Sequence, residues 1–194
     1  MLSIFAGLVI SIAGLGLLKV GTPIGAITFC WGLITIILFK LELYTGKAGF
    51  LAIPEQSSKL FLILLGNIIG CVLGSMLFVH DANMIAAAQE IVKARLSASP
   101  LPILMSSIGC GIIMTIAVYC STRLNNYLPL IFGIPLFILC GFPHSIADCF
   151  YIFSCKDIKF IGAAFFPWVI SVIGNFIGCN IPRFYIMKMK KREE

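Results

Sequence analysis

Apolar residues run through this chain in six long blocks, near 2–20, 24–45, 59–79, 101–120, 128–153 and 160–182. Each is close to or above the roughly 20 residues that a helix needs to cross hydrocarbon. Polar residues punctuate the blocks and leave one long connection, "DANMIAAAQEIVKARLSAS" at 81–99. Its alanines favour a helix and Asp81 offers a cap, so it reads as a short surface helix. Two blocks are interrupted. The second, "WGLITIILFKLELYTGKAGFLAIP", is broken by Lys40, Glu42, Thr45, Gly46, Lys47 and Gly49; the fifth holds Pro135, Gly141, Pro143, His144 and Asp148 in and before "GFPHSIADCF". Proline removes a backbone donor and clashes with the preceding turn. Backbone freed at membrane depth is tolerated only where protein buries it or where it lines a cavity. The pattern therefore predicts two broken helices whose breaks meet near the centre, with His144 facing a pathway rather than lipid.

The third and sixth blocks repeat a motif. "LLGNIIGC" (Leu64–Cys71) and "VIGNFIGC" (Val172–Cys179) share Gly-Asn-x-Ile-Gly-Cys. Small residues let helices approach closely. Asn67 and Asn175 each carry an amide into hydrocarbon, so each is expected to face protein or a cavity. Matching spans three apart imply two three-span halves, about 2–79 and 101–182. An odd number of spans per half makes the halves inverted, an arrangement that marks many transporters and channels with a site at the repeat interface.

Composition sharpens the class. Of 194 residues, 60% are hydrophobic and 11% charged, with a mean hydropathy of +1.06, against about 25% charged in soluble domains. The chain reads as a single transmembrane domain over 1–194. Its net charge of +6 does not point to nucleic acid, because five of the fourteen basic residues lie in the tail "RFYIMKMKKREE", 183–194. Such a cluster reads as a cytoplasmic anchor on the bilayer. With both termini inside, eight basic residues fall on the cytoplasmic side and Lys19, Lys93, Arg95, Lys156 and Lys159 outside. The first block lacks the basic start and cleavage site of a signal peptide. Eight cysteines without CxxC spacing sit mostly in apolar runs, where thiols behave as small hydrophobes. Neither a disulfide framework nor a metal site is expected, and no cofactor. No paired carboxylates, activated nucleophile or metal cluster suggests an enzyme.

At these residues the chain resembles the formate/nitrite transporter family. "LELYTG" is similar to that family's acidic-Leu-aromatic-Thr segment, and "GFPHSIAD" to its Gly-Phe-Glu-His-Ser-x-Ala-Asn signature. The paired "GN" segments match its third and sixth spans, and "TIAVY" the end of its fourth. The resemblance runs from about residue 3 to residue 187. It implies an all-α membrane protein, an aquaporin-like six-span bundle of two inverted three-helix repeats with broken second and fifth helices. It implies a homopentamer with a pore in each protomer, set in the inner (cell) membrane. The implied cargo is a small monovalent anion or its weak acid: formate, nitrite, hydrosulfide, acetate or lactate. By that resemblance His144 is the pore histidine and proton donor, with Thr45 in hydrogen-bond reach. Phe29, Leu33 and Phe137 form one apolar constriction; Leu43, Tyr44 and Met114 form the other. Arg95, with Lys93 close by, falls at the outer mouth.

An apolar ring excludes bare ions, since dehydrating them in a low-dielectric slot is very costly. A weak-acid anion passes by becoming neutral between two such rings, and histidine is the usual proton donor near neutral pH. Basic residues at the mouth would raise the local anion concentration. The departures from the family pattern bear on substrate and gating: Pro143 for glutamate, Asp148 for asparagine, Lys40 for a small residue, Gly111 for asparagine, and no amphipathic N-terminal helix of the kind linked to gating. Lys40 and Asp148, two unusual charges near the two breaks, are expected to form a compensating ion pair, with Glu42 a rival partner for Lys40. Plainer readings stand beside these. His144 and Asp148, four apart, also suit a structural hydrogen-bonded pair, and Lys40 and Glu42 a helix end at the interface. Asn67, Asn175, Lys40, Glu42 and Asp148 are grouped as pore support. Two other functions stay open, a channel for small neutral solutes and a non-transporting membrane scaffold.

Overall fold

The computed structural model describes residues 1–51 and 55–193, with side chains through Ile186. These residues form nine helices: α1 (Leu2–Val20), α2 (Ile24–Leu38), α3 (Tyr44–Lys47), α4 (Ser57–Phe78), α5 (Ala82–Ser97), α6 (Pro100–Arg123), α7 (Leu128–Leu139), α8 (Ser145–Ser154) and α9 (Ile158–Glu193). No strand occurs among the described residues. Four helices are long and apolar enough to span a membrane: α1, α4, α6, and α9 over Ile158–Ile186. The second and fifth spans are split, as the pattern of interruptions predicts. α2 has 15 residues and α7 has 12. At about 1.5 Å per residue neither crosses a hydrocarbon core of about 30 Å alone. The side chains of Lys188, Lys190, Lys191 and Arg192, the core of the expected anchor, lie outside the described residues.

α1 packs along α4 as α6 packs along α9, and each pair is drawn together by glycine. A Cβ at Gly70 would overlap the Ile4 carbonyl, and one at Gly178 the Ile108 carbonyl. Only a residue without a side chain permits these backbone approaches, which is why both copies of Gly-Asn-x-Ile-Gly-Cys carry glycine at this place. Polar groups within the spans are absorbed by backbone: Ser11 Oγ donates to the Gly7 carbonyl, and Thr115 Oγ1 to the Cys179 carbonyl.

α5 lies across one end of the bundle. Asp81 caps it, accepting from the Asn83 N–H at 2.8 Å, and pairs with Lys19 at 2.8 Å. The Lys19 ammonium and that N–H hold the Asp81 carboxyl below the usual carboxylate range. Gln89 and Arg95 reach from α5 to backbone carbonyls of the fifth span, Cys155 at 3.2 Å and Gly141 at 2.8 Å.

Candidate functional site

The two breaks are built alike. α2 ends with the Lys40 N–H donating to the Ile37 carbonyl and the Leu41 N–H to Ile36; α7 ends with Gly141 donating to Ile138 and Phe142 to Phe137. In both, the residue after the cap is left-handed, Lys40 with φ 53° and Gly141 with φ 68°. This is the helix stop that favours glycine. One buried asparagine then sets each restart. Asn67 Oδ1 accepts from the Tyr44 N–H at 2.8 Å, and its amide donates to the carbonyls of Glu42 at 2.9 Å and Ser3 at 2.7 Å. Asn175 Oδ1 accepts from the Ser145 N–H at 2.8 Å, and its amide donates to Pro143 at 3.0 Å and Ser107 at 2.9 Å. Three hydrogen bonds per amide, at about 1 kcal/mol net each, hold open backbone where no water can. The expectation that both amides face protein holds, and the matched partners relate Leu43 to His144 and Thr45 to Ile146.

The breaks meet through side chains. His144 Nε2 lies 2.8 Å from Thr45 Oγ1 of the opposite half. The ring also caps α8, with Nδ1 accepting from the Ala147 N–H at 3.1 Å. A backbone N–H can only donate, so Nδ1 carries no proton and the neutral ring bears its hydrogen on Nε2, directed at Thr45. The imidazole stacks on Phe137 with ring centroids 5.7 Å apart and is 1% exposed. Thiols close the same framework: Cys71 Sγ lies 3.3 Å from the Ile146 carbonyl and Cys179 Sγ 3.3 Å from that of Thr45. Trp168 Nε1 donates to the Ser145 carbonyl at 2.8 Å. The sequence gives no sign of these three contacts, because thiol and indole read as apolar filling. Ser145 Oγ is buried with no hydrogen-bond partner among the described residues.

A cavity of about 400 Å³ opens on the α5 side of this junction, lined by Phe29, Phe137, His144, Asp148 and Arg95 among others. Two of the three residues expected at one constriction thus stand at its wall beside the histidine. Leu33, the third, is buried without lining the cavity. Leu43 and Tyr44, at the start of α3, and Met114 on α6, against which α3 packs, are all buried. Tyr44 Oη donates to the Val172 carbonyl at 3.2 Å, which fixes its ring against α9. Lys93 does not line the cavity; its ammonium pairs with Glu90 at 2.7 Å.

The expected Lys40–Asp148 pair does not form. Asp148 pairs with Arg95, whose Nε lies 3.1 Å from Oδ2 and Nη2 3.4 Å from Oδ1. Lys40 is exposed, and among the described residues it makes no ion pair. Glu42, the rival partner, binds Lys59 at 3.5 Å instead. The reason lies in the inversion. Only the inner ends of the breaks, Thr45 and His144, meet, whereas the left-handed residues point to opposite ends of the bundle. Gly141 touches Arg95 on α5, whereas Lys40 is two residues from Glu42, which pairs with Lys59 at the start of α4. The left-handed backbone at position 40 favours glycine, so the lysine stands there against its conformational preference, and no charge pairing among the described residues explains it. Arg95 does reach the cavity wall, but its charge is matched by Asp148 rather than left open to a solute.

Comparison with known proteins places this arrangement. The family profile described as formate/nitrite transporter matches residues 1–187. The "uncharacterized transporter YrhG" of Bacillus subtilis (strain 168) is 29% identical over 180 residues, covering 83% of this chain and 64% of the relative. The chain therefore spans less than two thirds of that protein's length. Among solved structures, a "pentameric formate channel with formate bound" superposes with a TM-score of 0.76 at 19% identity, covering 98% of this chain and 94% of the other. An "FNT family ion channel" gives a TM-score of 0.78 at 16% identity, covering 95% and 88%. These two likenesses establish the fold.

Proposed function

Given that this chain belongs to the formate/nitrite transporter family and is an integral membrane protein, we propose that it conducts small monovalent anions or their conjugate acids through a pore within each protomer. Formate, nitrite, hydrosulfide and short-chain carboxylates are the candidate cargo. We infer also that five copies assemble, as in the formate channel that shares its fold, and that both termini face the cytoplasm of the cell membrane. The observation that carries this reading is the Thr45–His144 contact at the floor of the cavity. It joins the two inverted halves at one titratable ring.

The residues suggest how passage would work. Phe29 and Phe137 beside the ring, and Leu43, Tyr44 and Met114 beyond it, are apolar walls that a bare anion crosses only at high cost. The Nε2 hydrogen of His144, shared with Thr45 Oγ1, is the proton nearest a solute at that point. Loss of this hydrogen from the neutral ring would leave an imidazolate, so the donor is the imidazolium. The ring takes up a proton at Nδ1, releasing the Ala147 N–H, and passes its Nε2 proton to the anion. The neutral acid so formed crosses the apolar walls, and uptake of another proton at Nε2 resets the ring. The structural alternative, a ring serving only to cap α8, is separable by experiment.

The test is flux in proteoliposomes across formate, nitrite, hydrosulfide, acetate and lactate, for wild type and His144→Ala. Anion-gradient-driven pH change in wild type, lost in an assembled His144→Ala protein, is the expected result. Wild-type rates in the mutant at every pH would end the reading. A channel for neutral solutes is the second reading, favoured by the matched Arg95–Asp148 charges at the cavity wall. It predicts permeation without any pH change.

A further inference from the structure

The cavity above His144 carries a charge arrangement that proton transfer does not require. Its lining includes three side chains that ionise strongly: Glu90, Arg95 and Asp148. Glu90 pairs with Lys93 at the exposed surface. Asp148 sits deeper, one turn along α8 from the histidine, with its backbone N–H on the His144 carbonyl at 2.8 Å and its side chain 6% exposed. Its two oxygens face Arg95 Nε and Nη2, while Nη1 holds the Gly141 carbonyl. A lone carboxylate so placed would repel an anion approaching the ring, and a lone guanidinium would attract it. Each field is strong where water is scarce, and contact between the two groups cancels both.

We propose that Asp148 and Arg95 are specificity-determining residues that hold the cavity over His144 near charge balance and so keep anion capture low. This deepens the anion/acid reading above and rests on it. Asp148 then acts as the brake: an open guanidinium would gather anions, and the carboxylate prevents it. Arg95 in turn keeps the brake from becoming a barrier. The species favoured at the ring is the one least in need of a positive field, the neutral acid or an anion present at high concentration.

The experiment measures initial formate influx at neutral pH into proteoliposomes holding wild type, Asp148→Asn, Arg95→Gln and the double variant. Each is run at ionic strengths of about 0.01 M and about 1 M, where the screening length is about 30 Å and about 3 Å. Asp148→Asn should raise influx about tenfold at low salt, the lower end of the enrichment that a charged cleft supplies, and lose most of that gain at high salt. Arg95→Gln should lower influx by a similar factor, with partial relief at high salt. The double variant should return near wild type. A purely structural clamp between α5 and the break predicts otherwise, because the double variant still lacks the Gly141 contact and would stay as slow as Arg95→Gln. That result in assembled protein, or an Asp148→Asn influx no higher than wild type, overturns the proposal. Should Arg95→Gln not assemble, the gain in Asp148→Asn and its salt dependence decide alone. Wild-type protein that carries none of the candidate anions overturns the transport reading and the charge balance with it.

Discussion

The break in the second span and the break in the fifth share a backbone and differ in their side chains. Each has a left-handed stop, a short extended segment, a buried asparagine bridging three main-chain groups, and a helix restart. At the restart the first half presents Leu43 and the second His144. At the stop the first half has Lys40 and the second Gly141. The lesson is that the framework and the chemistry are separable. The left-handed stops and the buried asparagines define each break and where it restarts, whichever residue occupies the stop. The single residue at the junction, Leu43 in one half and His144 in the other, is where the proposed chemistry of the two halves parts.

The comparison breaks most completely if the shared framework is removed. Asn67→Leu and Asn175→Leu should each lose roughly 3 kcal/mol or more, since three buried backbone groups are stranded at about 1–3 kcal/mol apiece. Thermal unfolding of detergent-solubilised protein should show similar losses for the two. A large difference between them would mean that the halves do not rely on the same device. Next comes the difference in chemistry. His144→Ala should cut pH-dependent flux roughly a hundredfold, at the low end of what a positioned proton donor contributes. Leu43→Ala should leave the pH dependence of flux intact.

The stops supply two smaller tests of opposite sign. Gly141→Ala meets open space, with no atom within 4 Å of the added Cβ. Its cost is therefore conformational strain alone, about 1–2 kcal/mol for a left-handed residue with a side chain. Lys40→Gly should stabilise by about 1 kcal/mol, because it relieves that strain where no ion pair is lost. Destabilisation by Lys40→Gly would revive the idea that its charge is bound.

Much of this was legible in the chain. The apolar blocks mark the spans to within a few residues because a helix in lipid cannot end without a signal. Both breaks show as polar interruptions. The shared Gly-Asn-x-Ile-Gly-Cys motif identifies the pairs α1/α4 and α6/α9 as equivalent, and Asp81 announces α5. What stayed hidden has a common cause. Lys40 draws attention as a charge, while its position is decided by φ, which no hydropathy pattern records. Asp148 lies 53 residues from Arg95, and their meeting depends on how α5 folds back over the fifth span. Cys71 and Cys179 give weak thiol donors, and Trp168 an indole N–H, to carbonyls at the two helix restarts, a service invisible until the break is seen in three dimensions.

The placement of α5 also bears on the order in which the molecule is completed. The partners that hold this helix on the fifth span, Gly141, Asp148 and Cys155, are made 46 to 66 residues after the groups that grip them. Its upstream tie, Lys19 to Asp81, reaches back 62 residues and is exposed. As the chain leaves the ribosome, the first three spans and α5 therefore exist before anything is there to receive Gln89 and Arg95. Until the second half is inserted, α5 has only its ties to the first half, its packing on α1 and the Lys19–Asp81 pair. Its docking is then a late event, one that registers whether the inverted partner has arrived.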